Sequence, residues 1–205
     1  METKICGVSD LKTLNFIINH KFPPKFIGFV TNYPKSKRHV DIKNLRNLLK
    51  KNKVNINYVL VLVDPSDEVL GKIKNLNFNY LQLYDVNPER TKMIKQKYKK
   101  KIISAITVKK SIDVKKYNLY QGIADIILFD GKGYEKSIGF NHNLLKSIPL
   151  SLKTMLAGNI HFRDNLIKYS KITDIIDLSG NLETSGKKDI TKIDIFLKKI
   201  KNLKN

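Results

Sequence analysis

Eight short apolar runs recur along the chain, most of them followed by a stretch with helical patterning, and this alternation restricts the fold more than any other feature of the 205 residues. The first run ends at Cys6, and the others are Phe26–Val30, Val59–Val63, Tyr80–Tyr84, Ile102–Val108, Ile126–Phe129, Met155–Ala157 and Ile175–Leu178. Phe26–Val30 suits a buried strand or a core helix fragment, and its flanking prolines favour the strand. Runs that are apolar at nearly every position, rather than at every second one, belong to strands covered on both faces. Strands that alternate with helices at steps of about 21 to 33 residues make right-handed βαβ units and a parallel sheet. Eight such units close into a compact (β/α)8 barrel, and a chain this short leaves little room for inserted domains.

The helical stretches carry their own start signals. Ser9-Asp10 precedes a stripe of Leu11, Leu14, Ile17 and Ile18, and Asp41 precedes Ile42, Leu45, Leu48 and Leu49. Asp64-Pro65-Ser66-Asp67-Glu68 opens a helix with Val69, Leu70, Ile73 and Leu76, and Asn87-Pro88-Glu89 opens a basic one. Ser111 is expected to cap a helix reaching Tyr120, and Asn141 to Ser147 forms a sixth, short one. A final helix behind Asp189 carries Ile190, Ile193, Phe196, Leu197, Ile200 and Leu203. No linker or low-complexity tract interrupts this order, so residues 1–205 are expected to form a single barrel domain.

Active sites of such barrels lie at the C-terminal ends of the strands. Those ends are polar here: Cys6, the Pro34–Arg38 loop, Asp64, Tyr84-Asp85, Thr107, Asp130, Gly158-Asn159, and Asp177 with Ser179-Gly180. Taken singly, each has an ordinary explanation, because Asp and Ser cap helices, Gly makes tight turns and a lone Cys is usually a small buried hydrophobe. Gly158, Asn159, Ser179 and Gly180 follow strands seven and eight, where this fold commonly binds phosphate through backbone N–H groups. Neither a Gly-x-x-x-x-Gly-Lys-Ser/Thr loop nor a dinucleotide fingerprint occurs, so the phosphate is expected to belong to a small-molecule substrate, with no nucleotide cofactor. His20, His39, His142 and His161 fall away from the predicted strand ends without ligand spacing, and no metal is expected.

Charge sets a competing expectation. A net charge of +21 ordinarily suggests nucleic acid, yet only Arg38, Arg46, Arg90 and Arg163 are arginines among 39 basic residues. Base and phosphate recognition favours the guanidinium fork, so the lysines are read as serving solubility and attraction of small anions, with no nucleic-acid partner. A single cysteine excludes an internal disulfide framework, and neither an 18-residue apolar run nor a leader-like start is present. A cytoplasmic enzyme without a membrane partner is expected, as a monomer or weak homodimer.

Taken in order, Lys4-Ile5-Cys6-Gly7, Ile27-Gly28-Phe29, Pro34-Lys35-Ser36-Lys37-Arg38, Gln82-Leu83, Leu128-Phe129-Asp130, Leu156-Ala157-Gly158, Asp177-Leu178-Ser179-Gly180 and Gly186-Lys187-Lys188-Asp189 resemble the phosphoribosylanthranilate isomerase family along nearly the whole chain. The resemblance implies a cofactor-free Amadori rearrangement of N-(5-phosphoribosyl)anthranilate in tryptophan biosynthesis. It implies Cys6 as general base, Asp130 as general acid, Arg38 on the anthranilate carboxylate and Asp177 near the reacting carbons. Three departures stand out: Tyr84 replaces the family's usual histidine, Gly131–Ser137 replaces a glycine-rich loop, and Asn159 replaces a second glycine. Two alternatives stay open at this stage, a barrel enzyme for another sugar phosphate and a non-catalytic basic nucleic-acid-binding protein.

Overall fold

The computed structural model describes residues 1–51, 53–131 and 139–201. Eight parallel strands close a barrel in sequence order: β1 (Glu2–Cys6), β2 (Phe26–Val30), β3 (Asn57–Val63), β4 (Tyr80–Tyr84), β5 (Lys101–Thr107), β6 (Ile126–Asp130), β7 (Thr154–Leu156) and β8 (Ile175–Leu178). The seam is the pairing of β8 with β1, where Lys4 stands opposite Asp177 and Ile5 opposite Leu178. Among the described residues no helix is long and apolar enough to cross a membrane.

Among the described residues six α-helices pack outside: α1 (Leu11–Asn19), α2 (Ile42–Leu49), α3 (Asp67–Ile73), α4 (Pro88–Tyr98), α5 (Ser111–Val114) and α6 (Ile190–Ile200). Asp10, Asp41, Asn87 and Asp189 cap α1, α2, α4 and α6 by accepting from the backbone N–H of the second or third helical residue. Each such cap contributes about 1 kcal/mol. Ser66 caps α3 within the expected Asp64–Glu68 start, while Asp64 sits at φ +39° in the turn out of β3. One expected start is displaced. Ser111 lies inside α5, whose first turn is held instead by Asp113 Oδ2 accepting from the N–H groups of Lys109 and Lys110 at 2.9 and 2.8 Å.

The second half of the barrel is poor in α-helix. The expected helix to Tyr120 becomes 3-10 after Val114, and the segments at His142–Ser147 and Leu166–Tyr169 are also 3-10. Few apolar residues at 3.6-residue spacing occur there, so little packing energy offsets the cost of longer helices. Leu203 lies outside the described residues. A small antiparallel pair, β9 (Glu183–Thr184) and β10 (Lys187–Lys188), follows β8.

The period of two along each strand divides the apolar side chains into two layers. Ile5, Ile27, Leu60, Leu81, Phe129 and Ile176 face the helices. Phe26, Val59, Tyr80, Ile103, Leu128 and Met155 fill the barrel, with Phe26 and Tyr80 edge to face at 5.5 Å. Four polar side chains occupy interior positions of the same alternation: Lys4, Gln82, Asp130 and Asp177, all buried.

Candidate active site

Cys6, Arg38, Tyr84, Asp130, Asp177 and Ser179 line one cleft at the C-terminal ends of the strands, with about 650 Å³ of empty volume including its open mouth. The floor is built on β1. Lys4 and Cys6 are two residues apart and therefore share the interior face. Lys4 is fully buried, and its ammonium donates to Asp177 Oδ2 at 2.6 Å across the barrel seam. Burial alone would lower the Lys4 pKa, but Asp177 and then Cys6 hold it above its ordinary value. The opposite balance governs Cys6: burial pushes the thiol up, and the Lys4 ammonium pulls it down only in part. Gly28 is required beside them. A Cβ there would lie 2.8 Å from Cys6 Sγ and 3.2 Å from Lys4 Nζ, so the strand carries no side chain where thiol and ammonium meet.

Asp130, at the end of β6, is buried and accepts from Tyr84 Oη through Oδ2 at 2.9 Å. Tyr84 Oη in turn receives Gln82 Nε2 at 3.3 Å. Burial raises the Asp130 pKa to about 6, against the Tyr84 hydrogen bond, which lowers it. Gly158 (φ +86°) passes close to this carboxyl, and a Cβ on it would meet Gly131 N at 2.9 Å and Asp130 Oδ1 at 3.3 Å.

Arg38 reaches the cleft from the loop after β2, but it is not a free fork. Its Nε and Nη2 donate to Glu183 at 2.6 and 2.9 Å, and its side chain is 24% exposed. Lys188, 1% exposed, also donates to Glu183 Oε1 at 2.6 Å and to Ser179 O at 3.1 Å. Glu183 thus takes one edge of the guanidinium, leaving Nη1 and the second N–H of Nη2 for a ligand. Gly7 (φ +75°) admits this arrangement, because any side chain there would overlap Arg38 Cδ.

Around the ends of β7 and β8, Gly158 and Ser179 line the cleft, and Asn159 and Gly180 are their chain neighbours. Ser179 Oγ donates to Cys6 O at 3.1 Å, tying the loop after β8 to the end of β1. Asn159 holds φ +54°, one of the few residue types that tolerate this region. His142 is nearer the site than its sequence position suggests: its Nε2 is 3.0 Å from Gly158 O. Of Gly131–Ser137, residues 132–137 lie outside the described residues.

Lys4, Glu183, Lys188 and Gly28 were not singled out as site residues from the sequence. Two of them left a signal. Lys4 shares its strand face with Cys6, and a glycine inside an apolar strand, as at Gly28, marks a close approach.

Together these elements define a (β/α)8-barrel protein with an acid–base cleft at the mouth of its strands. A sequence model of N-(5'-phosphoribosyl)anthranilate isomerase matches residues 3–199, and the chain belongs to that family of isomerases in tryptophan biosynthesis. The chain is 31% identical to N-(5'-phosphoribosyl)anthranilate isomerase of Zymomonas mobilis subsp. pomaceae, over 99% of both chains. It is 29% identical to the protein of that name from Brucella canis, over 98% of this chain and 94% of the relative. Phosphoribosylanthranilate isomerase from Thermotoga maritima superimposes with a TM-score of 0.86 at 24% identity, over 98% of this chain and 99% of that one. A phosphoribosylanthranilate isomerase in complex with reduced 1-(o-carboxyphenylamino)-1-deoxyribulose 5-phosphate superimposes with a TM-score of 0.84 at 23% identity, again over 98% and 99%.

Proposed function

We propose that this cleft converts N-(5-phosphoribosyl)anthranilate into 1-(2-carboxyphenylamino)-1-deoxyribulose 5-phosphate, with Asp130 as general acid and Cys6 as general base. The observation that carries this reading is a buried carboxyl with a pKa near 6 sharing one cleft with the only thiol of the chain. Neutral Asp130 gives its proton to the furanose ring oxygen, the C1–O bond breaks, and the nitrogen lone pair forms the C1=N iminium. Cys6, as thiolate beside the Lys4 ammonium, removes the proton from C2, and the electron pair moves to the nitrogen. The resulting enolamine ketonises by losing its O–H proton and gaining one at C1, with no net redox change. Acid and base each supply roughly 10² to 10⁴ in rate.

The remaining residues bind. Arg38 directs its unoccupied N–H edge to the anthranilate carboxylate, a planar anion that suits a fork. Asp177 Oδ1, which has no hydrogen-bond partner among the described residues, accepts from a ribose hydroxyl. Gly158, Asn159, Ser179 and Gly180 hold the phosphate near the ends of β7 and β8. A solved relative binds a reduced form of the product, which supports the same occupant here. Cys6, Arg38, Asp130 and Asp177 all line the cleft of one chain, so the proposed chemistry is complete within a single chain, whether the protein is a monomer or a weak homodimer.

Purified protein offered phosphoribosylanthranilate should abolish the substrate's fluorescence at a rate proportional to enzyme concentration. No decay above the spontaneous rate would reject the reading. Inorganic phosphate at tens of millimolar should raise the apparent KM without changing kcat at constant ionic strength. An unchanged KM would move the phosphate site away from Gly158 and Ser179.

A further inference from the structure

We propose that Tyr84 is a positioning residue for the acid step: its hydroxyl holds Asp130 by Oδ2 and stabilises the carboxylate left when the proton has gone to the substrate. The inference rests on the assignment of Asp130 as acid and goes beyond it by naming the group that governs that acid.

Gln82 and Asp130 orient the hydroxyl. Gln82 Nε2 approaches Tyr84 Oη at 3.3 Å, which occupies an acceptor position, while Asp130 Oδ2 at 2.9 Å takes the phenolic proton. Gln82 and Tyr84 lie two residues apart on β4 and share its interior face, so the pair is built by strand periodicity. Oδ1 remains on the Gly158 side of the cleft. Tyr84 and Asp130 are both buried, where a hydrogen bond to a developing charge is stronger than in water.

The described groups that act on Asp130 set the sign. From β4 comes Tyr84, itself held by Gln82 and near Cys6 of β1, from β1 Lys4, from β8 Asp177, and from the residue after β6 the Gly131 N–H. Burial and the Asp177 charge favour the neutral acid; Tyr84, Gly131 and Lys4 favour the carboxylate. The Tyr84 hydroxyl stays protonated throughout the working range, because burial and then Asp130 raise its pKa well above the usual phenol value. It remains a donor whether Asp130 is charged or not.

Removing the hydroxyl should therefore leave an acid that keeps its proton to higher pH but parts with it less readily. Tyr84→Phe should lower kcat by about tenfold and move the acidic limb of the kcat profile, the one assigned to Asp130 because it titrates below Cys6, upward by about one pH unit. In an Asp130→Asn background the same substitution should cost less than twofold, since the carboxylate it serves is gone. Folding is checked by circular dichroism, and if phenylalanine is not accepted, Tyr84→Leu removes the same donor and is read identically. An unmoved limb, or an equal loss in both backgrounds, overturns the role of Tyr84. A fully active Asp130→Asn variant overturns the acid assignment instead, so the two failures are distinguishable.

Discussion

Asp130→Asn is expected to lower kcat by about 10² or more and, at neutral pH, to make the protein harder to unfold. Asparagine keeps the size of the side chain and loses the transferable proton. The stability effect follows from burial. A carboxyl with an ordinary pKa of 3.8 and a folded value of about 6 binds its proton more tightly in the native state. Between these values the native chain holds more protons than the unfolded one, so stability falls as pH rises through the window. Above pH 6 the native state carries the full cost of the buried charge, at most about 3 kcal/mol from two pKa units. Below 3.8 that cost is absent. Asparagine does not ionise, so its advantage in Tm should be greatest near pH 8 and fade towards pH 4. Thermal unfolding of both proteins across that range, together with kcat, checks the prediction. Equal Tm values at pH 8 and pH 4 would mean that Asp130 is not held as a strained acid. Cys6→Ala should match the kinetic loss without this pH signature, because burial keeps the thiol neutral at the pH where Asp130 titrates.

Lys4→Met should destabilise the protein by about 3–5 kcal/mol and lower kcat by roughly 10². Methionine fits the volume, and the damage comes from what it leaves behind. Asp177 is buried, one of its oxygens lacks a hydrogen-bond partner among the described residues, and loss of Lys4 Nζ strips the other of its 2.6 Å contact. An uncompensated carboxylate then remains in the interior. The thiol also loses the cation that favours its ionised form. Lys4→Met with Asp177→Asn should regain most of the stability and none of the activity, separating structural cost from chemical loss. If Lys4→Met alone unfolds at the wild-type temperature, the buried pair contributes nothing to the fold.

Strands β1 to β8 were legible because their apolar runs are uniform, and most helix starts because Asp and Asn stand at the caps. The 3-10 segments were less so. Leu166–Tyr169 spans four residues, too few to carry a helical period. At the site, polar residues at strand ends pointed to Cys6, Asp130 and Asp177, whose positions follow from strand order alone. Contacts between distant segments could not be read that way. Glu183 meets Arg38 across 145 residues, and nothing local to either reveals that the guanidinium is already half engaged. Lys4 escaped for another reason: a lysine is assigned to solvent by default, and only closure of the barrel encloses it.

That closure also imposes an order on the life of the molecule. The hydrogen bond from Lys4 to Asp177 joins residues 173 positions apart, and Ser179 to Cys6 spans the same separation. Both are made only when the last strand docks on the first. A nascent chain still missing β8 carries Lys4 and Cys6 without their carboxylate neighbour, and long-range pairing of this kind is slow to form. Catalysis therefore waits on the sealing of the ring of strands, and the onset of activity during refolding times that moment.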